Sequence, residues 1–475
     1  MNGLNQQPST LNHQASLRPS SLVPTDARGI AFDVLRQYHE SPEFVAPLLE
    51  ERFVAGRLPA ADRRLATELV CGVIRRLATL DALVELHVSR PRQHVESELW
   101  TLLRLGTYQL TFLSTVPPHA AVNETVETAR RFGKPRWTGL LNGVLRAVSR
   151  TVTDELTNAP AADAIPLTEG RYRLCRQPVF ADPVDDPLEF FSRAFSFPHW
   201  LAERWLLRIQ IDELLRLGFW FNAPAKLSLR VNTLKTSRET MLESLRAADV
   251  AATGGKLSES IALKDRARVE ELPGFAEGWF SVQDESATSA VNLLSPRPGE
   301  MVLDLCAAPG VKTTHLAERM QNDGRVLATD VNTERLARLE QNYHRLGITI
   351  VETTLIDRSS ENVPAGPFDA ILIDAPCSNT GVLGKRPEGR WRIRPQDIEE
   401  LAALQNRLLG VACDRLKPAG RLVYCTCSIE PEENQQVIRC VLRRRPELVL
   451  QKEIVHVPGR SADGGYQALL VRNHA

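Results

Sequence analysis

Residues 301–314 read Met-Val-Leu-Asp-Leu-Cys-Ala-Ala-Pro-Gly-Val-Lys-Thr-Thr. A short apolar run ends here in a loop of small residues, and a helical pattern begins directly after the loop. Similar alternation continues downstream and predicts a mostly parallel, doubly wound sheet over 281–475. Because such sheets bind ligands beyond the carboxyl ends of their strands, we expect the chemistry in those loops. The expected strands cover 301–305, 326–329, 349–353, 368–373 and 421–424, and two expected helices cover 333–346 and 395–416.

The loop after the first expected strand has the composition of a ligand-binding turn. Small residues and Gly310 let a ligand approach the backbone N–H groups at the start of the next helix. The loop matches neither the G-x-G-x-x-G pattern nor a Walker A loop, which disfavours a nicotinamide dinucleotide. Asp330 follows Gly310 by 20 residues, a spacing that suits a carboxylate on the ribose of a nucleoside cofactor, with a helix N-cap as the alternative. Asp357, near the end of the third strand, is a further candidate beside an adenine.

Two later strands each end in a loop that carries a cysteine. Cys377 lies in the loop after the fourth strand, and Cys427 lies in the loop after the fifth. A buried cysteine usually acts as a small apolar residue, but these two lie where this fold places its site. A zinc site formed with Cys306 and Cys425 is the alternative, which the absence of any C-x-x-C pair disfavours. We therefore expect thiol chemistry and no metal.

Composition limits the class of protein. The chain has 475 residues, and its 58 basic and 58 acidic side chains give a net charge of zero. This excludes a protein that binds nucleic acid through a large overall positive charge, but it allows local basic patches. No apolar run is long enough for a membrane-spanning helix, and the start lacks a secretory pattern. The eight cysteines form no disulfide framework, so we expect a protein of the reducing cytoplasm. We also expect a monomer that has no membrane partner.

Changes in composition divide the chain into five parts. Residues 1–21 are polar and predict a disordered tail, with a transit peptide as the alternative. Helical spacing predicts an all-α domain over 22–150. Five prolines and an excess of acids predict a linker over 151–190. A small α+β module is expected over 191–280, with a helix over 200–217 and a strand at 227–232, and the sheet domain follows over 281–475.

Two stretches are locally basic. The end of the helical domain carries several basic residues with no intervening acid, and 385–394 carries five basic residues, one acid and a tryptophan. A solvated helix face is the alternative for the first stretch, and packing on the fold is the alternative for Trp391. We expect contacts with an RNA backbone. The residues expected to make them here are Arg130, Arg131, Lys134, Lys385, Arg386, Arg390 and Arg392.

At this point the motifs resemble a known family. Three of them resemble RNA cytosine-5 methyltransferases that use S-adenosylmethionine, and residues 24–150 resemble the NusB domain. In this order the combination is similar to the bacterial 16S ribosomal RNA cytosine-5 methyltransferase B family. The methyltransferase motifs are Asp304-Leu-Cys-Ala-Ala-Pro-Gly310, Asp374-Ala-Pro-Cys-Ser-Asn-Thr-Gly381 and Thr426-Cys-Ser-Ile429 with Glu432-Glu-Asn434. The NusB-like stretches include Leu69-Val-Cys-Gly-Val-Ile-Arg75, Val116-Pro-Pro-His-Ala-Ala-Val-Asn-Glu124 and Asn142-Gly-Val-Leu-Arg146.

The resemblance implies a multidomain fold with an all-α NusB-like domain, a small α+β module and a C-terminal α/β Rossmann-like methyltransferase domain. It implies that Cys427 is the nucleophile and Cys377 the second cysteine. Residues 230–232 and 283–285 match stretches of the family's RNA-side module. The resemblance therefore also implies that Arg230 and Asn232 contact RNA. The residues implied to bind S-adenosylmethionine are Cys306, Ala307, Ala308, Pro309, Gly310, Val311, Lys312, Asp330, Asp357 and Asp374. Two departures are Val311, where the family usually has glycine, and the additional thiol Cys425.

The implied chemistry explains why two thiols are needed. Cytosine C5 is a poor nucleophile, and a thiolate that attacks C6 makes an enamine whose C5 accepts a methyl group. Asp374, if it is protonated beside N3 of the base, would stabilise the covalent adduct. Cys377 would then help to remove the C5 proton and release the enzyme. The base must be unstacked to reach both thiols.

The resemblance implies 16S ribosomal RNA as the partner, either free or in an assembling small subunit. Two alternatives stay open. One is a non-enzymatic RNA-binding or ribosome assembly factor with a decayed site, which Val311 favours. The other is a DNA cytosine-5 methyltransferase with Cys377 as nucleophile, which the Thr-Cys-Ser motif and the helical domain disfavour.

Overall fold

The computed structural model describes residues 24–473 except for seven single positions, 39, 42, 57, 169, 266, 361 and 461. The tail expected over 1–21 lies outside the described residues. The chain forms two compact units. Among the described residues, the first unit comprises 24–73 and 87–149, and the second comprises 74–86 and the residues from 150 onward. In the part of the chain that is described, every helix is too short or too polar to span a bilayer.

The helices are α1 (Ala27–Tyr38), α2 (Val45–Gly56), α3 (Ala60–Arg75), α4 (Leu77–Glu85), α5 (Ser97–Phe112), α6 (Pro118–Arg131), α7 (Thr138–Thr151), α8 (Pro187–Ala194), α9 (His199–Leu206), α10 (Ile211–Asn222), α11 (Arg238–Ala247), α12 (Glu285–Leu294), α13 (Val311–Arg319), α14 (Thr333–Leu346), α15 (Gly389–Arg392), α16 (Pro395–Asp414) and α17 (Gln435–Arg444).

The strands are β1 (Val152–Thr157), β2 (Ala164–Pro166), β3 (Tyr172–Cys175), β4 (Ser228–Val231), β5 (Ala252–Gly254), β6 (Ser260–Leu263), β7 (Phe280–Val282), β8 (Met301–Asp304), β9 (Arg325–Asp330), β10 (Val351–Leu355), β11 (Phe368–Asp374), β12 (Leu416–Thr426), β13 (Leu448–His456) and β14 (Gly465–Arg472).

The first unit is helical, as the spacing of apolar residues predicts. Helices α1, α2, α5 and α6 lie within it, together with most of α3 and α7. Their apolar faces are buried, with Phe32, Trp100 and Leu145 almost fully removed from solvent. Burial of an apolar face against neighbouring helices is the main source of stability for helices of this length.

The prediction that 151–190 is a linker is wrong. These residues form a three-stranded antiparallel sheet in the order β1-β3-β2, and α8 follows it. The prolines occupy positions that regular structure tolerates. Pro166 ends an edge strand, and Pro187 is the first residue of a helix that Asp186 caps. Tyr172 packs edge-on against Phe195, which follows α8, and against Phe219 of α10, so the sheet shares an apolar core with these helices.

The small module contains a four-stranded sheet in the order β5-β6-β4-β7, with α11 packed against it. Leu229, Met241 and Phe280 lie in its core. The single helix expected over 200–217 is instead two helices, α9 and α10. The expected strand at 227–232 corresponds to β4.

A seven-stranded sheet forms the C-terminal domain, in the order β10-β9-β8-β11-β12-β14-β13. The first five strands are parallel, as predicted, while β13 and β14 add two antiparallel strands that the sequence analysis did not anticipate. Alternate residues of each parallel strand face opposite sides. Leu303 and Ile371 belong to the core beside α16 and α17, whereas Val302 and Leu372 belong to the core beside α12 and α13.

This strand order places the site. The chain runs outward from β8 to β10, and then returns to the other side of β8 with β11. The loops after β8 and β11 therefore diverge and leave a crevice at the carboxyl ends of these two strands. The loop after β12 lies next to the loop after β11, since β11 and β12 pair up to Asp374 and Cys425.

Candidate active site

A cavity of about 220 Å³ lies at this crevice. It is bounded by the loop after β8, by the end of β11, and by the residues that join β7 to α12. Six of the ten predicted cofactor residues line it, and the remaining four do not. The lining residues are Val282, Gln283, Asp284, Ala287, Asp304, Ala307, Ala308, Pro309, Val311, Lys312 and Asp374. The four predicted cofactor residues that do not line it are Cys306, Gly310, Asp330 and Asp357.

Gly310 makes the turn from the loop after β8 into α13. Its φ of 98° lies in the left-handed region, and a Cβ there would stand 2.4 Å from Leu339 Cγ. The glycine therefore serves both the backbone conformation and the close packing of the loop on α14. Val311, which departs from the family pattern, is the first residue of α13 and is half-buried beside the cavity.

Asp330, at the end of β9, supports the loop after β8 through hydrogen bonds. Its Oδ2 accepts a hydrogen bond from the backbone N–H of Ala308 at 3.2 Å, and its Oδ1 accepts one from the N–H of Asn332 at 3.0 Å. Asp357 is exposed at the end of β10 and accepts a hydrogen bond from Ser359 Oγ at 2.6 Å. The ribose and adenine contacts expected of these two carboxylates remain predictions.

Lys312 and Asp374 form an ion pair in the wall of the cavity. Lys312 Nζ lies 2.6 Å from Asp374 Oδ2. Burial lowers the pKa of Lys312, but the charge and hydrogen bond of Asp374 and the nearby thiols Cys425 and Cys427 together outweigh it and raise the pKa above its ordinary value. Lys312 therefore carries its positive charge into the cavity, beside a carboxylate at the end of β11.

Asp304 is a buried acid at the end of β8 that also lines the cavity. Thr313 Oγ1 donates to its Oδ2 at 2.7 Å, whereas its Oδ1 has no hydrogen-bond partner among the described residues. Burial raises the pKa of Asp304 to about 7 from an ordinary value of 3.8. Between these two values the folded protein retains a proton that the unfolded chain has lost, so the free energy of unfolding falls as the pH rises through this window.

We expect Asp304→Asn to remove this pH dependence. The amide does not titrate and still accepts from Thr313, so the variant should gain stability relative to the natural protein as the pH rises, by up to about 1.4 kcal/mol per pH unit. The gain should level off above the folded pKa of about 7. Urea unfolding at several pH values measures it, with the exposed Asp323→Asn as control. A stability difference that stays constant with pH would contradict the buried, protonated carboxyl group.

The structure brings the two predicted thiols together. Cys377 Sγ and Cys427 Sγ are 3.2 Å apart, although 50 residues separate them in sequence. Gly381 allows this approach, since a Cβ there would stand 2.5 Å from the carbonyl oxygen of Gly464 and 2.8 Å from that of Cys427. Cys427 Sγ also lies 3.2 Å from Asn379 Oδ1, which accepts its hydrogen bond.

The surroundings distinguish the four cysteines near the site. The hydrogen bond with Cys427, burial and the charge of Glu433 all raise the pKa of Cys377, so this thiol keeps its proton. Cys425 is buried in the core beside α12 and donates to the carbonyl oxygen of Ile373, and burial raises its pKa. Burial also raises the pKa of Cys306. Within the described residues, no three His, Cys, Asp or Glu side chains are grouped as metal ligands would be.

Sequence reasoning missed the residues that connect the two thiol loops. Glu433 accepts hydrogen bonds from Ser378 and Ser428, which directly follow the two cysteines in sequence. It also missed Asp284, which caps α12 and lines the cavity, as a residue of this site. The signal was present, because each thiol precedes a serine and a pair of acids follows the second loop, but composition alone gives no reason to pair them.

Three residues expected to bind RNA are buried, so that prediction is wrong for them. Arg230 is fully buried and pairs with Glu318 at 2.7 Å. Asn232 is fully buried and donates to the carbonyl oxygens of Gly278 and Leu346. Arg390 is also fully buried. Its guanidinium group donates to the carbonyl oxygens of Ser196 and Phe221 and to Asn222 Oδ1.

We expect Arg230→Ala to destabilise the second unit by about 3–5 kcal/mol, because it would leave Glu318 buried without its cation. Urea unfolding followed by circular dichroism measures the effect. The exposed Arg246→Ala, on α11 of the same module, should stay within about 0.5 kcal/mol of the natural protein. An equally small effect of Arg230→Ala would contradict the structural role of the ion pair.

The other predicted RNA-binding residues are at least partly exposed, but most of them have acidic partners. Lys385 Nζ lies 2.5 Å from Asp463 and 3.3 Å from Asp284. Arg386 is exposed and Arg392 is half-buried. In the first unit, one acid on the same helix and three acids distant in sequence compensate the basic stretch, which lowers its local positive potential. The ion pairs there are Arg130 with Glu127, Arg131 with Asp26, Lys134 with Glu98 and Arg136 with Glu96.

Three family models match the chain. The model described as 16S rRNA methyltransferase RsmB/F matches residues 291–471. The NusB family model matches 25–150, and the model of the Methyltr_RsmF/B-like ferredoxin-like domain matches 197–270. These matches, together with the observed sheets and helices, confirm the predicted order of a NusB-like helical region, a small α+β module and a C-terminal α/β methyltransferase domain.

Individual proteins are similar over nearly the whole chain. Ribosomal RNA small subunit methyltransferase B of Salmonella typhi is 35% identical over 456 residues, which cover 93% of this chain and 97% of the relative. The protein of the same name from Yersinia pseudotuberculosis is 35% identical over 462 residues, with coverages of 94% and 98%. The crystal structure of PH0851 matches with a TM-score of 0.74 and 28% identity, and covers 94% of this chain and 98% of that one.

Proposed function

Because this chain belongs to the RsmB/F family and is a small-subunit ribosomal RNA methyltransferase, we propose that it methylates C5 of a specific cytosine in 16S ribosomal RNA. The methyl donor is S-adenosylmethionine, and the reaction passes through a covalent bond between Cys427 Sγ and C6 of the base. The product is 5-methylcytosine. The observation that carries this proposal is the pair of thiols, 3.2 Å apart, in the loops after two adjacent parallel strands.

The residues around the cavity fit S-adenosylmethionine. The start of α13 offers backbone N–H groups, Lys312 offers a positive charge, and Asp304 Oδ1 is a buried acceptor that lacks a partner among the described residues. These groups suit the carboxylate and ammonium groups of the methionyl part. When bound, the cofactor supplies an electrophilic methyl group on a positively charged sulfur.

Each side chain then has a defined task. Cys427, as thiolate, adds to C6 of cytosine, and the electron pair displaced toward C5 takes up the methyl group as the bond between methyl and sulfonium sulfur breaks. Once Cys427 is bonded to C6, Cys377 loses the hydrogen bond that is the largest cause of its raised pKa and can ionise. As thiolate, Cys377 takes up the proton of C5 while the C6–S bond breaks and releases the Cys427 thiolate. Asp374, paired with Lys312, lies at the end of β11 in reach of the cavity and is assigned to the N3 edge of the base.

The proposal divides the work between parts of the chain. Residues 22–150 hold RNA, 281–475 carry out methyl transfer, and the small module over 191–280 packs on the catalytic domain through the buried pair of Arg230 and Glu318. The candidates for phosphate contacts, all at least partly exposed, are Arg130, Arg131, Lys134, Lys385, Arg386 and Arg392. The protein acts as a monomer in the cytoplasm, on RNA that is free or part of an assembling subunit.

Bisulfite sequencing of 16S ribosomal RNA, with and without the gene for this protein, tests the proposal. We expect one cytosine to lose its protection from conversion when the gene is deleted, and to regain it when the gene is restored. Purified protein with S-adenosylmethionine should methylate the RNA and leave duplex DNA unmodified. Absence of saturable S-adenosylmethionine binding in calorimetry would instead favour an assembly factor without activity.

A further inference from the structure

Glu433 is a fully buried acid directly behind the two thiols. Its Oε1 accepts from the backbone N–H of Ser378 at 2.8 Å and from Gln405 Nε2 at 3.1 Å. Its Oε2 accepts from the hydroxyl groups of both Ser378 and Ser428. A buried carboxylate with this many donors is fixed in orientation, because each lost hydrogen bond would leave a buried polar group unsatisfied.

The donors to Glu433 come from both loops that carry a thiol. Ser378 follows Cys377, and Ser428 follows Cys427, so one carboxylate oxygen connects the residues next to the two thiols. The two serine hydroxyl groups also lie 3.0 Å from each other. Backbone hydrogen bonds also join the two loops, since the N–H of Gly381 donates to the carbonyl oxygen of Cys427 at 2.9 Å, and Glu433 adds a side-chain connection at the residues next to the thiols.

Further contacts hold Glu433 and its neighbours in place. Gln405 Nε2 also donates to the carbonyl oxygen of Pro376, at 2.8 Å, just before the first thiol. Tyr424 Oη donates to the carbonyl oxygen of Glu433 at 2.6 Å. Asn434 accepts from Thr426 Oγ1 at 2.6 Å and donates to the carbonyl oxygen of Ser428 at 2.9 Å. The segment after the second thiol therefore folds back and supports both loops.

We infer that Glu433 is a positioning residue that sets the distance between Cys377 and Cys427, by holding Ser378 and Ser428 on one carboxylate group. This inference rests on the proposed function for its catalytic meaning, but the thiol geometry itself can be measured without RNA. A shift of about 1 Å between reacting groups can cost about 100-fold in rate, so such a residue affects turnover without touching the substrate.

The charge of Glu433 supports the same role. It is one of the causes that raise the pKa of Cys377, after the hydrogen bond with Cys427 and burial. The carboxylate thus favours the protonated form of Cys377, while its hydrogen bonds to Ser378 and Ser428 hold the loops of both cysteines.

The rate at which an oxidant couples the two thiols reports how closely and how constantly they are held together. Diamide, a diazene oxidant, takes up the two thiol hydrogens as the bond between Cys377 and Cys427 forms, and peptide mass mapping follows the linked peptide. We expect the rate of coupling in Glu433→Ala to fall by about 10-fold or more, because misplaced groups react more slowly. Glu433→Gln, which retains one acceptor oxygen, should restore part of the rate. Glu432→Gln is the matched control, since that side chain pairs with Arg204 instead.

Methyl transfer provides the second measurement. We expect kcat of Glu433→Ala to fall by a similar factor, about 10-fold or more, while KM for RNA and the affinity for S-adenosylmethionine change less than about twofold. If Glu433→Ala does not fold, Ser428→Ala and Ser378→Ala each remove one arm and should lower the coupling rate singly. Coupling at the natural rate in Glu433→Ala, or in both serine variants, would overturn the inference. A natural protein that couples its thiols in a Glu433-dependent way but transfers no methyl group would overturn the proposed function alone.

Discussion

Cys427→Ala is expected to abolish methyl transfer to 16S ribosomal RNA, by at least about 1000-fold, while leaving the fold intact. Losses of this size are typical when a covalent nucleophile is removed. The side chain is half-buried in a loop, where its hydrogen-bond partners are Asn379 Oδ1 and Cys377 Sγ, so its removal costs little packing. Incorporation of labelled methyl groups measures the activity, and thermal unfolding confirms the fold.

The matched control for this variant is Cys440→Ala, a half-buried thiol on α17 that does not line the cavity. It should retain natural activity. Activity that survives in Cys427→Ala but disappears in Cys377→Ala would reverse the assignment of the nucleophile, and would favour the arrangement of DNA cytosine-5 methyltransferases.

Cys377→Ala is expected to accumulate a covalent protein–RNA adduct that survives denaturant. The variant keeps Cys427 and can form the bond to C6, but it lacks the thiol 3.2 Å away that assists release. Turnover should fall by about 100-fold or more, which is typical for the loss of a group that moves a proton. Electrophoresis in dodecyl sulfate with labelled RNA detects the adduct as a slower band.

The double variant Cys377→Ala with Cys427→Ala supplies the control, because it has no nucleophile and should give no adduct. An adduct in the double variant would point to another thiol of the chain. Absence of any adduct in Cys377→Ala, with turnover lost, would contradict the division of labour between the two cysteines.

The parallel sheet and its reactive edge were predictable from the sequence, because strand and helix periodicities are local. Apolar runs such as 301–305 and 368–373 mark buried strands, and the residues that follow them must meet at one edge. The same argument placed Cys377 and Cys427 near each other. It did not predict their distance, which depends on contacts of Glu433 that no local pattern reveals.

The wrong predictions of RNA contacts and of a linker have one physical cause, which is that a sequence shows a residue but not its contacts in the fold. A charged residue in a sequence shows its own charge but not its partner. Arg230 is neutralised by Glu318, 88 residues later, and Arg390 donates to Asn222, 168 residues earlier. The proline content of 151–190 predicted a linker for the same reason. Pro166 lies on an edge strand and Pro187 begins a helix, and both positions are compatible with regular structure.

The buried pair of Arg230 and Glu318 also limits how this protein can be recombined with its relatives. Arg230 lies on a strand of the small module, but it donates to the carbonyl oxygen of Val311 at 2.8 Å and to Glu318 on α13. A chimera joined between 280 and 311 would separate the two charges into different parents. Exchange of the small module must therefore carry α13 with it, and a library of chimeras should preserve both residues from one parent.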